Sequence, residues 1–392
     1  MSSLPTIDEA LALVLARAAP LEAEEVPVAQ AAGRVLAESV VARTDLPPFD
    51  SSAMDGFAVR AADTPGRLTV VGQSAAGAPA TRELAAGEAI AISTGAVVPA
   101  GADAVVPVER TSGDVEVERV VLGDNIRPRG GDVRAGTVVA SAGSVLRPAQ
   151  LGALAAAGVA AVRCARRPRA AVLATGSELR SPGELLAPGE IYESNSILIG
   201  AQLASAGADV TVLEPVSDEA DATRTALERG LESDVLVTSG GVSVGPHDLV
   251  RAALSALGAE EVFWRVAVKP GKPIAFAVRG PTLVFGLPGN PVSSLVAFEL
   301  FVRPALLALQ GAAEPRPAYL PGRLGAPLRR NDQRDELVRA RTRIERDAVI
   351  LEPLPGQESH MIVRSAAASA LVLVPRGPGA LPEGAPVRYL RI

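Results

Sequence analysis

The sequence has very little cysteine and histidine, and each shortage excludes a class of site. Its 392 residues include one cysteine, Cys164, and only two histidines, His247 and His360. A disulfide framework or a metal site built from cysteines needs more than one thiol, so neither can form within one chain. Two histidines likewise exclude a metal site built from a cluster of histidines. Neither histidine is assigned a role from the sequence.

A basic surface and long apolar runs are also absent from the sequence. The net charge is −6 at pH 7, which argues against nucleic acid as a partner. No uninterrupted apolar run is long enough to cross a bilayer, and the first residues carry no basic-then-apolar targeting signal. We therefore expect a soluble cytoplasmic protein that does not associate with a membrane.

Lysine is almost missing, and the few lysines lie together. Only two of the 38 basic residues are lysine, Lys269 and Lys272, and both belong to the segment KPGKP. A lysine ammonium is a compact point charge, which suits an oxyanion in a small pocket better than a planar guanidinium does. Clustering by chance is the alternative explanation.

Residues 236–257 carry the most informative local pattern, a strand followed by a glycine-rich loop and a helix. The loop reads SGGVSVGPHD. Backbone N–H groups in such a loop, together with the positive end of the helix, bind phosphate groups. The loop lacks the Lys-Ser/Thr pair of a Walker A motif and does not fit GxGxxG. The alternative is a tight turn with Asp248 as the helix N-cap.

The rest of the chain alternates between two kinds of pattern. Thr6 and Glu9 form a capping box that predicts an N-terminal helix. Residues 67–140 contain short apolar runs between Gly, Pro and Asp clusters, which predicts an all-β region. From Ala170 strands alternate with helices, the pattern of a mostly parallel sheet. Glycine and acid clusters follow most of these strands, so we expect a ligand site at the carboxyl edge of that sheet.

Eight motifs together resemble one known family. They are FDSSAMDGFAV, STGAVVPAGAD, RPRGGD, ATGSEL, IYESN, SGGVSVGPHD, FWRVAVKPGKP and GLPGNPVSS, in that order. The sequence resembles the molybdopterin molybdenumtransferases of the MoeA type, also found as the E domain of gephyrin, from about residue 6 to residue 392. Short members such as TGSEL are weak signals alone, whereas the pairing of SGGVSVG with KPGKP and GLPGNPVS is very specific.

The resemblance implies an α/β multidomain fold and an elongated homodimer. Its expected parts are a helical stalk at residues 1–46 and 141–168, an inserted β-domain at 47–140, a mostly parallel α/β molybdopterin-binding domain at 169–311, and a C-terminal β-barrel at 312–392.

The resemblance also implies a transferase activity, the last step of molybdenum cofactor biosynthesis. Such an enzyme takes adenylylated molybdopterin from an upstream molybdopterin adenylyltransferase, together with molybdate, and yields the molybdenum cofactor and AMP with Mg²⁺.

The residues that match family site positions fall into four groups. The candidates for holding Mg²⁺ and for catalysis are Glu178, Asp218 and Asp248. Further candidate catalytic residues match positions at the dimer cleft, namely Asp55, Thr94 and Asp132. The expected molybdate ligands are Lys269, Lys272, Ser293, Arg339 and Ser359. The expected molybdopterin-binding positions are Ser239, Gly240, Gly241, Ser243, Gly245, Pro288, Asn290 and Pro291. For each metal candidate, a helix cap is the alternative.

Three departures from the family pattern qualify these expectations. Phe57 stands where tyrosine is common, Ser177 replaces a frequent aspartate beside Glu178, and Arg265 replaces a frequent lysine after the tryptophan.

Two other functions also remain open. One is adenylyl transfer to molybdopterin, because the α/β domain resembles that of the sister adenylyltransferases. The other is a non-catalytic scaffold of the same fold.

Overall fold

The helices of the protein are short, apart from one that crosses the core. The computed structural model describes residues 4–112, 115–241, 249–345 and 348–392. Within these ranges the α-helices are Ile7–Leu15, Pro148–Ala156, Asn195–Ser205, Ala220–Gly230, Leu249–Ala256, Pro291–Ala297, Arg303–Leu309 and Ile362–Ser365. A π-helical turn, Phe298–Val302, joins two of them into one continuous core helix.

A six-stranded sheet forms the centre of the α/β region. Its order is Asp209–Val212, Arg169–Ala174, Val235–Ser239, Thr282–Leu287, Ala275–Arg279 and Glu260–Trp264. The first four strands run parallel, and the last two join antiparallel. Every residue of Val235–Ser239 and Thr282–Leu287 is buried, as expected where both faces of a parallel sheet are covered. The mostly parallel sheet predicted from the sequence is confirmed.

The continuous helix Pro291–Leu309 packs inside this region. It is the one helix of the described ranges that is long and apolar enough to cross a membrane, and 72% of its most apolar stretch is buried within the fold. Phe298, Phe301 and Leu306 are fully buried in the main hydrophobic cluster. Burial of this extent is typical of a helix in the core of a folded domain.

The N-terminal helix also belongs to that hydrophobic cluster. The predicted capping box is present: the Thr6 N–H donates to Glu9 Oε2 at 2.8 Å, and the Glu9 N–H donates to Thr6 Oγ1 at 3.2 Å. Leu11 and Val14 are buried with Phe301. The helix therefore packs on the α/β region, while a separate cluster around Leu146 and Leu154 fills the stalk. The proposed limits of the four domains remain predictions.

The region between the two stalk segments is built from short strands, as predicted. A four-stranded sheet has the order Thr69–Ser74, Glu88–Ile92, Gly56–Val59 and Ala104–Pro107. Smaller ladders are formed by Ser51–Ser52 with Ile126–Arg127, and by Gly66–Arg67, Glu116–Val117 and Thr111–Ser112. The stalk contributes two further pairs, Ala23–Pro27 with Ala161–Ala165 and Val40–Val41 with Val138–Ala140.

The C-terminal region closes into a five-stranded barrel. Its strands are Leu320–Leu324, Asp335–Glu345, Ala348–Pro353, Ala370–Val374 and Pro386–Arg391. The barrel closes because Asp335–Glu345 pairs with both Ala348–Pro353 and Ala370–Val374. Short outer ladders pair Leu328–Arg329 with Ala380–Leu381 and Leu179–Arg180 with Ile191–Tyr192. The strand Val268–Lys269 pairs with Asp335–Glu336 and so joins the α/β region to the barrel.

One ion pair fastens the entry of the chain into the α/β region. Asp234 accepts hydrogen bonds from the Arg166 guanidinium at 2.7 and 2.8 Å and from the Arg169 N–H at 2.8 Å. Burial alone would raise the pKa of Asp234, but these bonds and charges outweigh burial and hold its pKa below the ordinary value. The ionised carboxylate therefore stabilises the fold.

We expect Asp234→Asn to lower the free energy of unfolding by about 2 kcal/mol at pH 7, because a charge-assisted bidentate contact is lost. A lowered pKa gives a contribution that is present above the unfolded pKa and is lost as the pH falls through the folded pKa. The difference from wild type should therefore shrink between pH 7 and pH 3. Urea unfolding at both values measures it. Glu228→Gln, in an exposed pair with Arg224, is the control and should change little. An equal loss at both pH values would contradict this account.

Candidate functional site

A cleft of about 680 Å³ opens at the carboxyl edge of the central sheet. The loops that line it follow the strands Arg169–Ala174, Val235–Ser239 and Thr282–Leu287, with additional residues from the barrel. Predicted site residues in its lining are Glu178, Asp218, Ser239, Gly240, Gly241, Pro288, Asn290 and Pro291. The cavity at this edge contains most of the predicted α/β positions in its lining, and its role as a ligand site stays a prediction.

The start of the glycine loop requires glycine at two successive positions. Gly240 has φ 93° and Gly241 has φ 63°, both in the left-handed region. A Cβ at Gly240 would lie 2.6 Å from the Thr175 carbonyl oxygen, and a Cβ at Gly241 would lie 2.5 Å from Val250 Cγ2. The backbone thus runs close to the neighbouring loop. The predicted Ser243, Gly245 and Asp248 lie outside the described residues.

Two polar side chains missed by the sequence reasoning stand in the cleft wall. Asn195 Nδ2 donates to Ser239 Oγ and to the Gly289 carbonyl, both at 2.7 Å. Asn195 Oδ1 and Thr175 Oγ1 are buried and have no hydrogen-bond partner in the part of the chain that the structure describes. Buried polar atoms are nearly always satisfied, so a bound ligand or water is the expected partner. The motifs ATGSEL and IYESN contain both residues, but only the fold brings them together.

The predicted acidic residues are placed by an exchange of hydrogen bonds between two loops. The Ser177 hydroxyl lies 3.3 Å from Asp218 Oδ2, and the Asp218 N–H donates to Ser177 Oγ at 3.1 Å. The helix Ala220–Gly230 has Glu219 at its N-cap, and no side chain caps it. Asp218 is therefore not a helix cap, and Ser177 has a role of its own in fixing it beside Glu178. The described residues contain no group of three or more His, Cys, Asp or Glu that could hold a metal ion.

A loop of the barrel closes one side of the cleft. The Arg339 guanidinium donates to the carbonyls of Met361 and Gly356, each at 2.7 Å, and to Ser365 Oγ at 2.8 Å. Its side chain is buried, and burial lowers the pKa of Arg339. In this geometry Arg339 holds the 356–361 loop in shape. Nothing in its sequence motif signals that its donors are used within the fold.

The same loop brings barrel residues to the cleft. The Ser359 carbonyl accepts the Val292 N–H at 3.1 Å, at the start of the core helix. His360, which received no role from the sequence, lines the cleft. The sequence feature that could have pointed to His360 is its position next to the predicted site residue Ser359.

The two lysines point to different neighbours. Lys269 Nζ lies 3.0 Å from Glu336 Oε1 on the barrel. Lys272 lines a smaller pocket beside the cleft, while Pro273 lines the cleft itself. A Cβ at Gly271 would lie 3.5 Å from the Ser293 carbonyl oxygen, so the turn packs against buried Ser293. The KPGKP turn thus contributes to the lining of two cavities.

Two further expectations concern residues away from the cleft. The Thr94 N–H donates to Asp55 Oδ1 at 2.7 Å, so these two predicted residues are neighbours. Asp132 is exposed on the RPRGGD loop, and its N–H donates to the Leu46 carbonyl at 2.9 Å. No residue of 47–140 appears in the described lining of the cleft.

Arg265, the third departure, lies with its guanidinium 3.8 Å from the centre of the Trp264 ring.

The fold and the cleft define a class of protein: an open α/β domain with a cavity at the carboxyl edge of its sheet, where such domains bind ligands, and with appended β-domains. Three family models match nearly the whole chain: the MoeA N-terminal region (domain I and II) at residues 5–158, a probable molybdopterin binding domain at 171–308, and the MoeA C-terminal region (domain IV) at 316–392. The chain belongs to the MoeA family.

Individual relatives agree with this assignment. The chain is 40% identical over 328 residues to molybdopterin molybdenumtransferase 2 of Mycobacterium tuberculosis, covering 77% of this chain and 80% of the relative. It is 34% identical over 402 residues to the molybdopterin molybdenumtransferase of Bacillus subtilis, covering 98% and 94%. The crystal structure of the molybdopterin biosynthesis MoeA protein of Pyrococcus horikoshii superposes with a TM-score of 0.84 at 28% identity, covering 100% of both chains.

Proposed function

We propose that this protein is a molybdenum insertase, which transfers molybdenum from molybdate to adenylylated molybdopterin with release of AMP. The observation that carries the proposal is one cleft in which the start of a glycine loop, paired acidic residues and a barrel loop meet. The curated relatives are named molybdopterin molybdenumtransferases. A transferase of the molybdenum cofactor pathway is therefore the activity the family supports.

In the proposed complex, the phosphates of the substrate lie on the glycine loop. Gly240 and Gly241 let the backbone pass close to Thr175 and Val250, where an added Cβ would clash with the fold. Free N–H groups in such a loop bind phosphate oxygens. Pro288, Asn290 and Pro291 form the adjacent wall at the start of the core helix, whose N-terminus favours an anion.

Glu178 and Asp218, with Asp248, would hold Mg²⁺. Both described carboxylates line the cleft and lie on loops joined through Ser177. Carboxylate oxygens are the ligands that Mg²⁺ prefers, and the ion usually keeps several waters and bridges to substrate phosphates. Bound Mg²⁺ would neutralise charge on the phosphate from which AMP leaves.

We infer that molybdate reaches the cleft at the KPGKP turn. Lys269 and Lys272 supply charge there, while Ser293 and Ser359 lie on the two elements that meet beside the turn. Arg339 acts in this proposal by holding the loop that carries Ser359, since its guanidinium already donates to that loop.

Adenylyl transfer to molybdopterin is the nearest competing activity, and one assay separates the two. The protein is mixed with molybdopterin, ATP and Mg²⁺, and pyrophosphate is measured. In parallel it is mixed with adenylylated molybdopterin, molybdate and Mg²⁺, and AMP is measured. We expect AMP in the second reaction and no pyrophosphate in the first. Pyrophosphate without AMP release would reverse the assignment. Absence of both products would favour a non-catalytic scaffold. We also propose that the protein acts in the cytoplasm.

We further propose a homodimer in which each cleft is completed by the β-domain of the other subunit. The bonded pair Asp55 and Thr94 matches functional family positions, although the described lining of the cleft contains no residue of 47–140. A second copy of the chain can supply these groups, together with Asp132 of the same β-domain.

Subunit mixing tests the shared site. Chains carrying Asp55→Ala are expected to be inactive as homodimers, and so are chains carrying Asp248→Ala. Mixed dimers should recover part of the activity, because one of their two clefts then has both aspartates intact. Differently tagged chains are co-purified, and AMP release is compared with that of each parent. Absence of recovery in verified mixed dimers would argue for a site within one subunit.

A further inference from the structure

A second pocket adjoins the KPGKP turn, with Lys272 in its lining, whereas Pro273 of the same turn lines the cleft. It encloses about 280 Å³, against about 680 Å³ for the cleft. Three segments line it: the N-terminal segment, the residues around the turn, and the barrel. The lining residues are Leu4, Ala267, Lys272, Gln333, Arg334 and Arg376. Neither arginine carries a role in the function proposed above.

Backbone hydrogen bonds fix the three segments to one another. The Ala267 N–H donates to the Pro5 carbonyl at 2.9 Å, and the Asp335 N–H donates to the Ala267 carbonyl at 3.2 Å. The Val266 N–H donates to the Lys272 carbonyl at 3.0 Å. The pocket is therefore built from fixed backbone of the folded protein, and its cationic side chains project from anchored positions.

The charged groups of the pocket are all positive. Across residues 4–112, 115–241, 249–345 and 348–392, no carboxylate lies within ion-pair distance of the side chains of Lys272, Arg334 or Arg376. Like charges brought close together repel one another unless a counter-charge is present. An anion between them would remove this repulsion and receive charge-assisted hydrogen bonds.

The two acidic residues that follow Arg334 in the sequence make contacts elsewhere. Glu336 is paired with Lys269, and Asp335 Oδ1 accepts the backbone N–H of Arg376 at 2.8 Å. The Glu9 carboxylate, whose pKa is lowered mainly by its capping-box hydrogen bonds, feels the charge of Arg376 only weakly. These carboxylates reduce the local positive potential without filling the pocket, so a small dianion is the matching counter-charge.

We propose that this pocket binds a small tetrahedral oxyanion, and that molybdate is held there before it passes the turn into the cleft. The pocket is too small for adenylylated molybdopterin, which needs the larger cleft. Two guanidinium groups and one ammonium suit an anion with oxygens on all sides. The identity of the oxyanion as molybdate rests on the proposed function; the binding of a tetrahedral dianion does not.

Direct binding to the full-length protein, without molybdopterin, tests the proposal. Molybdate is titrated calorimetrically at fixed ionic strength into wild type, the double variant Arg334→Gln/Arg376→Gln, and Arg341→Gln. Arg341 is an exposed barrel arginine outside the pocket and serves as the matched control. We expect the double variant to lose at least about tenfold in affinity, as for lost hydrogen bonds to a charged group, and the control to stay within about twofold. Equal affinities in all three proteins would overturn the proposal.

Two further measurements make the outcome decisive. Crystals of wild type soaked in molybdate should show an anomalous molybdenum peak in contact with Arg334 and Arg376, whether or not the double variant folds. A peak confined to the cleft, or none, would overturn the site. Competition with sulfate and phosphate identifies the occupant. If either anion displaces molybdate at a concentration lower than that of molybdate, the assignment of the oxyanion as molybdate would be overturned. A pocket that binds molybdate in a protein that releases no AMP would leave this inference standing and remove the proposed function.

Discussion

Gly240→Ala should lower kcat/KM for adenylylated molybdopterin by about a hundredfold. The added Cβ would lie 2.6 Å from the Thr175 carbonyl oxygen and 2.9 Å from Thr175 Oγ1, so backbone must move. A displacement of about 1 Å at a positioning loop is enough for a loss of that size. The residue would also be held at φ 93°, where L side chains are strained.

A second glycine separates these two effects. Gly258 has φ 82° and no atom within 4 Å of an added Cβ. Gly258→Ala should therefore show the backbone strain, about 1–2 kcal/mol of stability, without a change in kcat/KM. Steady-state kinetics and urea unfolding of both variants give the comparison. Wild-type kinetics in a folded Gly240→Ala protein would place the phosphates elsewhere.

Removal of either lysine should weaken the use of molybdate by more than tenfold. Loss of a hydrogen bond to a charged group costs about 1.5–3 kcal/mol, which corresponds to that factor or more. Lys272→Arg keeps the charge but replaces a compact ammonium with a larger planar donor, and it should also fail at low molybdate. Binding of adenylylated molybdopterin should survive, because its phosphates lie on the glycine loop.

The measurement is AMP release against molybdate concentration for wild type, Lys269→Ala, Lys272→Ala and Lys272→Arg. Glu336→Gln is an informative companion, because Glu336 holds Lys269 at 3.0 Å. If Lys269 acts on the oxyanion, the Glu336→Gln change, which frees Lys269, should also alter how AMP release depends on molybdate concentration. One molybdate dependence shared by all five proteins would mean that the paired lysines do not contact the substrate.

Much of the α/β region could be predicted from sequence because its signals are local. Buried β-branched strands such as Val235–Ser239, followed by glycine, indicate both the sheet and its ligand edge. Gly240 and Gly241, which follow that strand, line the cleft, as does Pro288, which was expected from the family resemblance.

What the sequence did not reveal depends on contacts between distant segments. His360 and Asn195 reach the same cleft from regions that are 165 positions apart in the sequence. The pairing of Lys269 with Glu336 follows from a strand shared between the α/β region and the barrel, which no local pattern encodes. Arg339 has the residue type of an anion ligand, yet its two terminal nitrogens donate to the 356–361 loop from a neighbouring barrel strand.

The alternative role of Asp218 as a helix cap is excluded by the same kind of contact. Asp218 precedes a helix and has the residue type of an N-cap, but its carboxylate accepts from Ser177 across the cleft edge. The serine that replaces a frequent aspartate thus fixes a neighbouring acid in place. Side-chain hydrogen bonds between loops have no period in the sequence, so only the folded structure shows them.

Coupled measurement of AMP and molybdenum tests the central claim most directly. The protein is incubated with adenylylated molybdopterin and Mg²⁺, with and without molybdate; AMP is quantified by chromatography and molybdenum in the isolated pterin product by mass spectrometry. We predict that AMP release requires molybdate and that AMP and pterin-bound molybdenum appear in equal amounts. AMP release that is indifferent to molybdate, with a product that contains no molybdenum, would contradict the account.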